Sequence, residues 1–397
     1  MGRVFKTHTS FEEAKKVFLE HISPLRESEE IALENCAGRV LAGEIIAGRN
    51  VPHYRRSAMD GYAVKASDTF GASPSSPVLL QLSGDVGDGN CKWVYTGAEV
   101  PEKADAVLMV EDTVNVGKLV EVRAQAYPGG NIEAVGEDIK SGARVFDAGH
   151  LLRPCDIAAL ASLGFTQTRV FRKPVVAIIP IGNELISLEK ASEVPEKGKV
   201  LETNGLMTAL YVEKWGGIPH LTKIVPDEFQ KILEAVKANL KADMILLIGG
   251  TSVGMQDHTS QVLENLGTLL VHGVGLIPGK PTALGVLGEV PVVCVPGYPV
   301  AGLAALYFFA RPGFRKRGSI PEFPEISLKK RLAAKISSKA GYVSFVRVGF
   351  EGEFVRPQTA EGAGALSSVT KADGFVLVPE NVEGYEAGDE VDVFLIE

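Results

Sequence analysis

Cysteine is scarce in this chain of 397 residues. The four present, Cys36, Cys91, Cys155 and Cys294, lie far apart with no C-x-x-C pair. That spacing encodes neither a zinc knuckle nor a disulfide framework. Basic charge is not in excess either: 41 Lys and Arg against 49 Asp and Glu give a net charge of −8. This argues against a dedicated nucleic-acid binder, although a local basic site remains compatible with it. Long hydrophobic runs are missing. The longest, Pro299 to Ala310, is too short to cross a bilayer and ends at Arg311. The start, Met1 to Lys6, shows no apolar signal region, and Lys6 stands where a myristoylation signal needs Ser or Thr. No H-E-x-x-H pair, G-x-S-x-G elbow, fixed-period repeat or low-complexity tract occurs. These absences lead to the expectation of a soluble, cytoplasmic, multidomain protein with neither membrane nor nucleic acid as partner.

What is present is ample apolar material, 45% of residues against 23% charged, enough for two to four domains. Ser10 and Glu13 form a capping box before a helix with Phe11, Ala14, Val17, Phe18 and Ile22 on one face. From about Ile45 to Lys140 short strand-like runs broken by Gly, Pro, Ser and Asp predict an inserted β-rich module. A helix is expected at Cys155–Leu163. Then strands and helices alternate. Strands are expected at Lys173–Ile181, Leu221–Val225, Met244–Ile248, near Leu269 and at Val290–Val295, with helices at Asn204–Lys214, Glu228–Lys241 and Val300–Ala310. Near-continuous apolar strands between helices predict an α/β domain with a parallel sheet covered on both faces. Its ligands should bind at the carboxyl ends of the strands. The basic stretch Arg311–Arg317 reads as a linker, and Gly318–Glu397 as a small β-barrel or sandwich. The boundaries expected are 1–44 with 141–172, 45–140, 173–317 and 318–397.

The strongest local signal is Gly249-Gly250-Thr251-Ser252-Val253-Gly254, between a buried strand and a helix starting near Asp257. Glycines let backbone amides turn toward an anion at a helix N-terminus. An ordinary βα turn needs only one or two of them. The pattern is neither G-x-G-x-x-G nor a Walker A loop, and Gly279-Lys280 before Pro281 does not supply one. Pro278-Gly279-Lys280-Pro281 and Pro296-Gly297-Tyr298-Pro299 are expected to follow strands of the same sheet as two rigid loops. There Lys280 could touch a substrate anion; taken alone, it reads as a solvated surface lysine. Glu184, Glu202, Asp227 and Asp257 fall at strand or loop ends. Converging beside a phosphate site they would hold Mg²⁺; singly, each reads as a cap or solvated charge, and Asp227 before Glu228 as a plain N-cap. Ser57-Ala58-Met59-Asp60-Gly61-Tyr62-Ala63 reads as a β-turn before a strand.

Together these motifs resemble the MoeA family, the molybdopterin molybdenumtransferases related to the gephyrin E domain. The resemblance covers essentially the whole chain. It is carried by Ser57 to Ala63, Thr96-Gly97-Ala98 with Pro101, Gly136-Glu137-Asp138-Ile139, Gly182-Asn183-Glu184-Leu185 and Thr203-Asn204. It continues through Gly249 to Gly254 with Asp257, Pro278 to Pro281, Pro296 to Pro299, and Leu366-Ser367-Ser368 to Asp373-Gly374. The resemblance implies a dimer-forming region, an inserted β domain, a molybdopterin-binding α/β domain and a C-terminal β-barrel. It also implies a reaction in which adenylylated molybdopterin loses AMP with Mg²⁺ and gains molybdate or tungstate at its dithiolene. Its catalytic positions would be Asp60, Asp138, Glu184, Asp227 and Asp257, with Glu184 and Asp257 on the metal. Substrate-binding positions would be Thr96, Gly249, Gly250, Thr251, Ser252, Gly254, Lys280, Pro296, Pro299, Arg347 and Ser367. The family dimer sets the inserted domain of one chain against the α/β domain of the other, so Asp60 and Thr96 would act across an interface. A molybdopterin adenylyltransferase and apo-molybdoenzymes are the implied protein partners.

The chain departs from the family pattern at several positions. Ile277 stands where Lys usually precedes Pro-Gly-Lys-Pro, Tyr298 where Asn is usual, Asn183 where Asp is common, and Tyr342 and Ser344 where Arg and Glu are usual. Loss of two cations from the suspected oxyanion pocket keeps open a non-catalytic molybdopterin-binding scaffold; an adenylyltransferase acting on molybdopterin, which uses a similar α/β domain, is the other alternative, disfavoured by the inserted and C-terminal domains.

Overall fold

The computed structural model describes residues 8–192, 194–251, 257–358 and 364–396. The chain forms two units. One comprises Glu30–Ala37 and Leu41–Val170; the other comprises Met1–Glu29, Gly38–Val40 and Phe171–Glu397.

In the first unit, alternation of apolar residues produces a six-stranded sheet. Its order is Ala106–Met109, Gly61–Val64, Asn90–Val94, Val78–Leu82, Leu119–Val122 and Thr113–Val116. Period two decides its packing: Tyr62 and Val64 enter one apolar cluster while Ala63 between them enters another. Gly61 has no alternative, because a Cβ there would overlap the Leu108 carbonyl. A helix spans Pro154–Ser162, and its buried Asp156 accepts from the Arg153 backbone N–H and guanidinium and bonds His150. Those bonds hold the Asp156 carboxyl well below the usual range, with the Arg153 guanidinium the largest cause.

The second unit opens with the helix Phe11–Glu20, capped by Ser10, whose Oγ accepts the Glu13 N–H. Phe11, Ala14 and Phe18 sink into a core shared with Met244, Leu246, Phe308 and Phe309. The sheet beneath runs Ile218–Leu221, Val175–Pro180, Met244–Ile248, Val290–Val295, Ala283–Leu287 and Thr268–His272. Its first four strands are parallel; the last two are antiparallel, so the sheet is mixed at one side. The reversal comes from Gly288-Glu289, where Gly288 at φ +62° closes a tight hairpin that the apolar pattern does not announce. Val176 and Ile178 face one core, and Ala177 and Ile179 the other, so helices cover both faces.

Arg311–Arg317 is not a linker. It is a helix that continues Pro299–Ala305 through a π-helical turn at Leu306–Ala310. Arg311 and Arg317 are buried, and Gly313 lies so close to Phe18 that a Cβ would stand 2.9 Å from its ring. The wider turn accommodates Pro312, which has no N–H for a regular ladder.

Five strands, Val343–Glu351, Phe354–Pro357, Ser327–Leu332, Glu390–Leu395 and Gly374–Val378, close into a barrel. Val348, Val355, Val376 and Val393 fill it, while Phe345 and Phe375 join the α/β core outside it. The short strand Leu276–Ile277 pairs in parallel with Val343–Ser344 of the barrel. The strand before Pro278 therefore belongs to a different sheet from the strand before Pro296. Expected strand Leu221–Val225 is instead Ile218–Leu221, and Val225 makes a single bridge to Ile181.

Candidate functional site

Three neighbouring parallel strands, Val175–Pro180, Met244–Ile248 and Val290–Val295, release their chains at one end of the sheet. The loops meet there: Gly249 donates to the Val295 carbonyl at 2.9 Å, and Ile181 to Ile248 at 2.7 Å. Gly249 sits at φ +90°, and a Cβ on it would overlap the Ile181 carbonyl; a Cβ on Gly297 would lie 3.5 Å from the Gly249 Cα. Close approach of three backbones thus requires part of the glycine run, whatever it binds. Ser252 and Gly254 lie outside the described residues. Over this floor opens a cavity of about 610 Å³ lined by Glu184, Glu202, Asn204, Gly250, Thr251 and Tyr298, with Gly249 and Pro299 also on its wall. Leu185, Val200 and Leu201 form its apolar side.

Four lining or neighbouring polar atoms are buried with no hydrogen-bond partner among the described residues: Thr251 Oγ1, Asn204 Oδ1, Asp227 Oδ1 and His258 Nδ1. Asp227 is not the N-cap expected: the helix is Phe229–Ala238 and its cap position is Glu228. The Asp227 N–H instead donates to Asn183 Oδ1 at 3.2 Å. Burial pushes the Asp227 carboxyl up; His258 lowers it, and the negative charges of Glu184 and Asp257 raise it further.

Asp257 caps the helix His258–Leu266. Its oxygens accept from the Ser260 N–H at 3.1 Å, Ser260 Oγ at 2.9 Å and Thr259 Oγ1 at 2.9 Å, and bond His272 Nε2 at 2.9 Å. Burial raises its carboxyl, but the bonds from His272, Ser260 and Thr259 outweigh that and hold it below the usual value. His272 lies on an apolar edge strand fifteen residues away, and no local signal pointed to it. Glu202, buried, accepts the Gly205 N–H at 2.6 Å and so anchors the helix Asn204–Lys214. Among the described residues no group of three or more His, Cys, Asp or Glu is arranged to hold a metal.

The remaining candidates lie elsewhere. Lys280 is not on the cavity wall; its Nζ is 5.7 Å from the Tyr342 ring centroid, beside Lys339 at 5.3 Å, with His8 stacked on the same ring at 4.3 Å. Arg347, on the barrel, donates from Nε and Nη2 to Ser368 Oγ at 3.2 and 3.1 Å, and burial lowers its guanidinium. Ser367 is exposed, so the hydroxyl facing Arg347 is its neighbour's. In the other unit, Asp60 accepts the Thr96 N–H and Oγ1, both at 2.7 Å, which lowers its carboxyl. Asp138 is exposed, its N–H bonded to the Val51 carbonyl at 3.1 Å.

Residues 9–164 match the model for the MoeA N-terminal region (domain I and II), and residues 329–396 that for the MoeA C-terminal region (domain IV). Between them, residues 177–316 match a model described as "Probable molybdopterin binding domain". The molybdopterin molybdenumtransferase of Bacillus subtilis is 31% identical, over 95% of this chain and 91% of its own. The chain belongs to the MoeA family. A crystal structure of the molybdopterin biosynthesis MoeA protein from Pyrococcus horikoshii superposes with TM-score 0.85 at 33% identity, covering 98% of this chain and 100% of that one. The molybdopterin molybdenumtransferase of Staphylococcus aureus is 28% identical over 92% and 91% of the two chains. MoeA membership makes this protein a transferase of molybdenum cofactor biosynthesis. Among the described residues no helix is long and apolar enough to cross a membrane.

Proposed function

We propose that this MoeA chain takes adenylylated molybdopterin, releases AMP, and inserts molybdate or tungstate at the dithiolene. The observation that carries the reading is that Thr251 Oγ1 and Asp227 Oδ1 are buried without a partner among the described residues, beside a cavity at the carboxyl ends of parallel strands. Thr251 Oγ1 is a donor without an acceptor, which a phosphate oxygen would supply. Gly249 and Gly250 line the same cavity beside it, where a turn at the end of a strand favours an anion. Asp227 Oδ1 is an acceptor without a donor among the described residues, and the negative charges of Glu184 and Asp257 near it, only partly offset by His258, are what a hard divalent cation relieves. Glu184 and Asp227 fit Mg²⁺ best. Asp257, the other expected ligand, spends its oxygens on four hydrogen bonds and would hold the helix start in place. When bound, Mg²⁺ supplies charge neutralisation at the phosphoanhydride. Leu185, Val200 and Leu201 offer an apolar side to the substrate, and Glu202 fixes the helix that carries Asn204 to the cavity.

The oxyanion would meet Lys280 and Arg347, with Lys339 adding charge beside Tyr342 where the family pattern loses an Arg. We also read the protein as cytoplasmic and homodimeric, with Asp60, Thr96 and Asp138 serving a partner's cavity, and as handing its product to apo-molybdoenzymes. The division at 1–44 with 141–172, 45–140, 173–317 and 318–397 is our reading. Family matches that stop at 164, restart at 177, stop at 316 and restart at 329 support its divisions at 172/173 and 317/318, while one match runs unbroken over 9–164. The test is AMP release from adenylylated molybdopterin with Mg²⁺, titrating molybdate and tungstate separately. Oxyanion-stimulated release is expected. Tight binding without release under either anion would favour the scaffold reading, for which Ile277, Tyr298, Tyr342 and Ser344 are the grounds.

A further inference from the structure

Tyr298 occupies an unusual position for an aromatic ring. The twelve residues after it, Pro299 to Ala310, run as helix, and those from Val300 onward are buried without exception. Tyr298 itself is 68% exposed and takes no place in any apolar cluster. Its backbone is nevertheless held on both sides. The Gly297 carbonyl accepts from Asn204 Nδ2 at 2.7 Å, and the Tyr298 carbonyl accepts the Gly302 N–H at 2.8 Å. Pro299 then fixes the first helical turn. The ring stands on the wall of the 610 Å³ cavity, and Gly364 approaches its edge so closely that a Cβ there would lie 3.4 Å from Cδ1. No hydrogen bond of its hydroxyl occurs among the described residues. The fold therefore holds the backbone beneath an exposed aromatic ring that takes no place in the apolar clusters of the described residues.

We propose that Tyr298 is a specificity-determining residue whose ring stacks on a planar nitrogen heterocycle seated in the cavity. The inference rests on the reading of the cavity given above, because the substrate proposed there carries two such rings, a pterin and an adenine. A volume of about 610 Å³ falls in the range of small-molecule sites and accommodates a fused bicyclic ring. Stacking suits the geometry: the aromatic face is apolar and polarisable, every such heterocycle has a π-face, and a tyrosine on a held backbone has only two side-chain torsions to lose when covered. The polar groups near the floor would bind the phosphate, leaving the ring to Tyr298.

The test uses the full chain with two probes, AMP and 6-carboxypterin, measured by calorimetry and by pterin fluorescence. Tyr298→Leu should weaken the probe that stacks by about ten-fold and leave the other probe and the melting temperature unchanged. Tyr298→Phe should bind like the wild type. Whichever probe weakens names the ring. In turnover, Tyr298→Leu should raise KM for adenylylated molybdopterin and leave kcat unaltered. Wild-type affinity of Tyr298→Leu for both probes would overturn the inference while leaving AMP release intact. Equal losses in the Phe and Leu variants would overturn it too, because the hydroxyl rather than the ring face would then be responsible. Wild-type protein that binds neither probe would overturn it together with the reading of the cavity beneath it.

Discussion

Replacing Gly249 by Ala tests whether backbone crowding, rather than ligand binding, demands glycine where the three strands end. At φ +90° an L-residue costs about 1–2 kcal/mol. The new methyl would also overlap the Ile181 carbonyl. Neither partner can step aside without loss, because Gly249 bonds Val295 and Ile181 bonds Ile248. Overpacking of that kind adds about 1–3 kcal/mol. The total, about 2–5 kcal/mol, is a large share of an ordinary domain's stability. It should lower the midpoint of the unit containing the sheet by about 5–15 °C. Gly250 provides the contrast. It sits at φ +64°, and its nearest neighbour to a Cβ is the Thr259 methyl at 3.0 Å, so Gly250→Ala should cost about 1–2 kcal/mol. Yet that Cβ would lie 3.5 Å from Asp227 Oδ1, inside the site, so AMP release should fall at least ten-fold. Scanning calorimetry, with the unit Leu41–Val170 as internal reference, separates the two variants. Gly249→Ala melting within a degree of the wild type would refute the crowding argument.

Three further outcomes follow from the charges. Asp156 is a carboxyl depressed by its partners, so its stabilisation is present above the ordinary aspartate range and lost as pH falls through the lower folded value. Asp156→Asn should therefore cost about 2 kcal/mol at pH 7 in urea unfolding, with the gap closing in strong acid; a gap independent of pH would sink the assignment. Asp227 is a carboxyl raised by burial, so ionising it above the ordinary range opposes folding. Asp227→Asn should gain about 0.5–1 kcal/mol at pH 7, discounted for partial exposure, lose the gain in acid and abolish Mg²⁺-stimulated AMP release. Buried Asp243 binds the Arg172 guanidinium at 2.5 and 2.8 Å and accepts the Val175 N–H at 2.8 Å. Asp243→Ala should cost about 2–3 kcal/mol, softened because Arg172 is 30% exposed, and a thermal midpoint like the wild type's would contradict this.

Local signals in the sequence carried their elements faithfully. The capping box at Ser10 and Glu13, the helix Asn204–Lys214 ended by Gly216-Gly217, and the apolar strand Met244–Ile248 all rest on neighbours a few residues apart. What could not be read locally was decided by distant partners. Arg311–Arg317 looks polar and punctuated, yet Phe18 and Ile22, nearly three hundred residues earlier, wait for its Gly313. Leu276–Ile277 pairs with a barrel strand nearly seventy residues on, which sends Lys280 toward Tyr342 rather than onto the cavity wall. In the site, the glycine run, Glu184 and Thr251 were legible from spacing, and Glu202 from its place before a helix. His272 was not, because a histidine on an apolar strand carries no pattern until its Asp257 partner is seen in space.

The insertion of one unit into the other has a consequence for how the chain is made. The Arg172 N–H donates to the Glu27 carbonyl at 3.1 Å, so the chain's final re-entry into the second unit lies beside the point where it first leaves. The ribosome therefore delivers the helix Phe11–Glu20 long before Met244, Phe308 and Phe309 exist to receive its apolar face. At typical synthesis rates that interval is on the order of ten seconds or more. During it the inserted unit is complete and free to fold, whereas the first helix is an uncovered amphipath. A nascent chain stalled well past Val170, with that residue clear of the exit tunnel, should thus hold a folded Leu41–Val170 module behind an N-terminal helix that chaperones recognise.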